Sequence, residues 1–100
     1  MTTQGPDSVK AKTVEGLVEG SLDLHAHFAP DSRRERCVDA GTILETANDL
    51  GMRGVALKSK DYSSYPLAYM GKQRFPHMDP LRALCLDRDV TGGLNPHAAK

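Results

Sequence analysis

The residues best suited to chemistry sit early in the chain, at His25-Ala26-His27. The run Leu22-Asp23-Leu24-His25-Ala26-His27 alternates apolar and polar side chains with period two, the pattern of a β-strand. In a strand, side chains two residues apart share a face and stand about 6.6 Å apart along the chain. Two imidazoles so placed can converge on one cation at about 2.0–2.1 Å each. Four histidines scattered over a chain of this length make an H-x-H roughly once in ten by chance. What singles this one out is its place just before Pro30, at the C-terminal end of a strand, where parallel α/β folds carry their sites. Asp23 has the same parity one layer deeper and is suited to orient a ligand histidine. His25 and His27 are the candidate metal ligands, and Asp23 is their support.

Lys58 is the second candidate, read as catalytic. It closes the apolar run Gly54-Val55-Ala56-Leu57, again at a C-terminal strand end. A lysine there can clamp a substrate carboxylate, act as a desolvated base, or ligate metal in carboxylated form. The bland alternative leaves Lys58 and Lys60 both in water. By parity, Ala56, Lys58 and Lys60 share one face while Val55 and Leu57 take the other, so both lysines are predicted to face the interior, Lys58 the deeper. Gly92-Gly93-Leu94-Asn95-Pro96 either brings backbone N–H groups to an anion or is simply a loop and cap. Arg33, Arg34 and Arg36 read as a solvated loop offset by Asp31, Glu35 and Asp39. His77 and His97 fall outside predicted strand ends, and Cys37 and Cys85 read as structural.

The elements that must position these residues alternate. A helix is predicted over 8–19, then the strand carrying His25 and His27, then a loop over 31–41. Thr42 and Glu45 have capping-box spacing ahead of Ile43, Leu44, Ala47 and Leu50, with Gly51 as the stop. A buried strand follows at Gly54–Ser59, and a helix over 62–73 with Pro66 in its first turn and Leu67, Ala68 and Met70 inward. Residues 81–87 read as a third strand after the breakers Phe75-Pro76 and Asp79-Pro80, and Asn95-Pro96 opens another helix. This order predicts an α/β fold of βαβ units on a parallel sheet.

Composition narrows the class. Lys+Arg and Asp+Glu both count 13, so formal net charge is zero, which argues against nucleic acid or an anionic membrane as partner. Residues 1–7 read as a disordered leader without the apolar segment of a secretory signal, and no apolar run approaches a membrane span. Two cysteines are too few for a disulfide framework, so a cytoplasmic location is expected. With no Trp and 5% aromatics the core is thin for 100 residues, and the chain stops on a helix-start signal. Residues 8–100 are therefore expected to be part of a larger domain, with homo-oligomerisation as a further expectation.

With Asp23-Leu-His-Ala-His-Phe-Ala-Pro30, Gly51-Met-Arg-Gly-Val-Ala-Leu-Lys-Ser-Lys60 and Gly92-Gly-Leu-Asn-Pro96 in order, the chain resembles the N-terminal part of metal-dependent hydrolases of the amidohydrolase superfamily. It looks closest to a poorly characterised bacterial branch, over roughly residues 14–99. Members carry D-x-H-x-H at the end of the first barrel strand, and Asp23, His25 and His27 match it position for position. The resemblance implies the first three or so strands of a (β/α)8 barrel with one or two divalent metals at its mouth, zinc first and manganese or iron as alternatives. It implies hydrolysis of a small-molecule substrate, with activity expected of a longer protein rather than of these residues alone. Related decarboxylases also open with a histidine pair, and a non-catalytic remnant is the reading from another class. Relatives of that branch usually continue with His after the residues matching Lys58-Ser59, where this chain has Lys60.

Overall fold

Three parallel strands, each followed by a helix, make one sheet. In the computed structural model, which describes residues 14–100 with the Asp89 side chain aside, the elements are β1 (Leu22–Ala26), α1 (Ala40–Asp49), β2 (Gly54–Leu57), α2 (Tyr65–Arg74), β3 (Asp79–Arg82) and α3 (Arg88–Thr91). The sheet order is β1-β2-β3, with both pairings parallel. The C-terminal ends of all three strands therefore lie along one edge. Residues 14–18 are helical. The predicted leader over 1–7 and the first part of the helix predicted over 8–19 lie outside the described residues.

Helix α1 begins earlier than its capping-box signal suggests. Asp39 is the N-cap, its carboxylate accepting from the Thr42 N–H at 2.8 Å. A carboxylate at this position satisfies a free N–H and also complements the helix dipole, so Asp39 takes the cap and Thr42 sits in the first turn. The other end follows the sequence. Gly51 adopts φ +70°, the Met52 N–H reaches the Ala47 carbonyl at 2.9 Å, and the Gly51 N–H reaches Asn48 at 3.1 Å. Those two bonds form a Schellman stop, with half-buried Met52 folded back on the core.

Between α1 and the sheet lies the core: Phe28, Leu44, Ala47, Val55, Leu57 and Met78 are buried. Leu57 is fully inaccessible, and burying such a side chain contributes about 1.5–3 kcal/mol. Helix α2 turns Ala68 and Gly71 inward, while Met70 stays 64% exposed. Gly71 replaces Met70 as the contact because Leu44 and Pro80 approach that face closely.

Strand β3 forms two residues earlier than expected and includes Pro80, read from sequence as a breaker. The Asp79 N–H donates to the Arg53 carbonyl at 2.7 Å, and alternation then points the Pro80 nitrogen away from β2. At this position a missing donor costs no ladder bond. Residues 83–87 leave the sheet, and the Ala83 N–H bonds the Ser64 hydroxyl at 2.8 Å instead. The chain then forms α3, a short helix absent from the sequence reading, which Gly92 ends at φ +77°.

Candidate functional site

At the C-terminal edge of the sheet, β1 delivers both imidazoles to one spot. The Nε2 atoms of His25 and His27 lie 3.0 Å apart, with ring centroids at 4.9 Å and planes at 62°. Ala26, between them, turns into the core against Leu57, so the histidines share the opposite face. Nitrogens bound at 2.0–2.1 Å to one cation stand about 2.9–3.4 Å apart at ordinary coordination angles. The observed separation meets that condition. Among the described residues no three His, Cys, Asp or Glu side chains gather around one point. The donor set is thus two imidazoles, and any further ligand would have to come from elsewhere.

Asp23 stands differently from its sequence expectation. The β1–β2 register shifts between Asp23 and Ala26, which pair with Val55 and Leu57 respectively. Such an irregularity breaks the two-residue parity. Asp23 shares the face of Val55 and borders the apolar groove between β1 and α1 with Ile43 and Ala47. Its carboxylate accepts the backbone N–H of His25 at 3.0 Å. The support it offers is to the backbone that carries His25, not to an imidazole.

Lys58 comes next to the pair. Its backbone N–H donates to the Ala26 carbonyl at 2.8 Å, continuing the β1–β2 ladder one step past β2. The side chain is half-buried, whereas Lys60 is exposed, the order that parity predicts. Burial and the charges of Arg36, His25 and Lys58 hold the His27 imidazole below its ordinary 6.5, against a hydrogen bond with the Lys58 backbone that acts the other way. At neutral pH that favours the neutral imidazole, the form that binds a metal.

Loops complete the edge. After β1 the chain passes Phe28, crosses the cis Ala29–Pro30 peptide, and is drawn back where the Ala29 N–H meets the Val38 carbonyl at 2.8 Å. Asp61, following β2, holds this loop: one carboxylate oxygen accepts the Ser32 N–H at 2.9 Å and the other the Ser32 hydroxyl at 2.5 Å. Asp31 accepts from the Arg33 N–H and the Arg36 guanidinium, both at 2.9 Å, and these bonds hold its carboxyl below the usual range. Arg33 reaches Asp87 beyond β3 at 3.4 Å.

The arginine loop is thereby ordered, and it borders a pocket of about 350 Å³ lined by His27, Asp31, Arg33, Arg34, Arg36 and Lys60. The sequence reading of a freely solvated, charge-balanced loop missed this. Of the three acids thought to offset the arginines, Asp39 is engaged as the α1 cap and only Asp31 lines the pocket. The usable signal was position: three arginines directly follow a strand's C-terminal end. The glycine pair shows no anion cradle among the described residues, since it terminates α3 and Asn95 caps only a turn, its side chain accepting the Ala98 N–H at 3.2 Å. His77 and His97 are exposed and take no part.

A parallel α/β unit with paired imidazoles at its C-terminal strand edge is the class that fold and site define. Comparison then places the chain in a family: a model described as a family of unknown function, DUF6282, matches residues 20–100, and the chain belongs to it. No curated protein and no solved structure matches the chain significantly. No helix among the described residues is long and apolar enough to cross a membrane.

Proposed function

We propose that this chain carries the metal-binding edge of a metal-dependent hydrolase of the amidohydrolase type, its three strands being the first of a (β/α)8 barrel. The observation that carries the reading is the 3.0 Å approach of the His25 and His27 Nε2 atoms at the C-terminal end of β1. A divalent cation, zinc foremost, would supply acidified water and a polarised carbonyl when bound. The chain's own residues set the terms for it. His25 and His27 present their Nε2 atoms side by side, and the Asp23 carboxylate accepts the backbone N–H of His25. Lys58 adds positive charge beside His27, where it can hold an anionic group of a small-molecule substrate.

The test is zinc titration of the full chain. Four-ligand structural zinc sites bind with roughly 10–16 kcal/mol, or about 2.5–4 kcal/mol per ligand. His25→Ala and His27→Ala should therefore each weaken zinc about a hundredfold or more. His77→Ala and His97→Ala should leave it unchanged. Equal zinc affinity in the parent and in His25→Ala and His27→Ala refutes the reading. A decarboxylase of the same superfamily makes the same metal prediction and is told apart by carbon dioxide among the products.

A further inference from the structure

The loop after β1 and the turn after β2 gather cationic side chains around one pocket. Arg33, Arg34, Arg36 and Lys60 line it together with His27, and Asp31 is the one carboxylate among them. The chain as a whole has no net charge, so this concentration is local. Asp31 is engaged by Arg36 and by the Arg33 N–H, and Asp87 lies against Arg33. Arg34 and Lys60 are exposed, and among the described residues neither forms an ion pair. Like charges held this close raise a positive potential that a small anion would relieve. The loop is also fixed in advance, through Ser32 to Asp61 and through Ala29 to Val38. Binding would therefore require little ordering of the backbone.

At about 350 Å³ the pocket falls at the small end of metabolite sites, and it touches His27 directly. Guanidinium groups match oxyanions through paired N–H donors, and lysine adds a point charge. We propose that this pocket binds the oxyanion group, carboxylate or phosphate, of a small-molecule ligand, with Arg34 and Lys60 as its principal cationic contacts. The pocket's role as a substrate pocket rests on the hydrolase reading. Its capacity to bind an anion does not.

The test uses the full chain, freed of metal with a chelator, at constant ionic strength set by chloride. Inorganic phosphate and malonate are titrated separately, and backbone amide shifts are followed by NMR. Millimolar binding is expected, with shifts concentrated over residues 27–36 and at Lys60. Arg34→Gln and Lys60→Gln should each weaken it about fivefold, the scale of exposed charge contacts. Lys60→Glu should abolish it. Arg74→Gln, on the last turn of α2, should change nothing. Tighter phosphate or tighter malonate names the ligand's chemistry, and either supports the proposal. Absence of a localised shift with both anions overturns it, as does unchanged affinity in the Arg34→Gln/Lys60→Gln double variant. Zinc binding without anion binding leaves the hydrolase reading standing alone, and anion binding with undiminished zinc in the histidine variants does the reverse.

Discussion

Replacing Gly54 by alanine probes how the sheet sets the register of the site. Gly54 opens β2 and pairs with Leu22 of β1 on one side and Asp79 of β3 on the other. A Cβ at this position would stand 2.0 Å from the Asp79 carbonyl oxygen and 3.0 Å from Leu22 Cδ2. Contact at normal distance requires β2 and β3 to separate by about 1 Å or more, since carbon reaches its optimum near 3.5 Å. The obstacle is backbone, so no rotamer change relieves it. Overpacking costs about 1–3 kcal/mol, and the Asp79 to Arg53 hydrogen bond adds about 1 kcal/mol if it is lost. Reduced entropy of the unfolded chain returns about 0.4–1 kcal/mol. The net is about 1–3.5 kcal/mol, a fall of roughly 5–25 °C in melting temperature for a domain of this size. Gly71→Ala is the matched comparison. Its Cβ would meet Leu44 Cδ1 at 2.5 Å, but that is the tip of a rotatable side chain. A helix interior also gains about 1 kcal/mol from Gly to Ala, so the two effects nearly cancel. Thermal unfolding followed by circular dichroism measures both. A loss under about 5 °C for Gly54→Ala, or a larger loss for Gly71→Ala, refutes the reasoning.

Acid should unfold the chain through its engaged aspartates. Asp79, held by Lys72 and Arg53, and Asp39, bonded to the Thr42 N–H, both titrate below the ordinary 3.8. A depressed folded value contributes stability above the unfolded value and loses it as pH falls through the folded one, so urea midpoints should fall steeply below about pH 4, beyond the decline that His27 contributes below 6.5. Asp79→Asn should flatten that fall, and an unchanged acid slope counts against the pairing. His27 titration, followed by imidazole NMR, should move upward in Lys58→Met, because a positive neighbour is removed, and stay put in Lys60→Met. Equal movement in both variants would mean that Lys58 has no special proximity.

Much of the scaffold was legible because local rules set it. The β1 strand, the Gly51 stop and the apolar β2 each depend on residues within a few positions of one another, and each appears where predicted. The strict alternation of β1 does not hold, since Leu22 and Leu24 are exposed. The errors arise where distant contacts decide. Asp39 outcompetes Thr42 as cap through a single side-chain bond. Pro80 enters β3 because only one side of that strand is paired in this sheet. Met70 lies outside because Gly71 gives Leu44 and Pro80 a closer approach. The histidine pair could be read from spacing alone, since both members follow the register irregularity or sit within its end. Asp23 precedes it, and nothing in a two-residue alternation announces that the strand will slip.

That slip also separates two kinds of support at the site. His25 lies in β1 and His27 is the residue directly after β1, on a backbone held by the Asp23 carboxylate and by the bond from the Lys58 N–H to the Ala26 carbonyl. The cations are carried by the segments beyond β1 and β2, joined to each other by Ser32 and Asp61. His27 belongs to both groups, as the last donor of the first and a wall of the second. Elements with ladder bonds hold positions more narrowly than loops, and a cation shared by two nitrogens tolerates little displacement. Oxyanion binding by flexible guanidinium and ammonium side chains tolerates more. The arrangement therefore places the exacting geometry on the strand and the adaptable charge on the loops. On the proposed reading, substitutions in the arginine loop alter anion binding while sparing the nitrogen pair, and changes in the β1–β2 ladder disturb both.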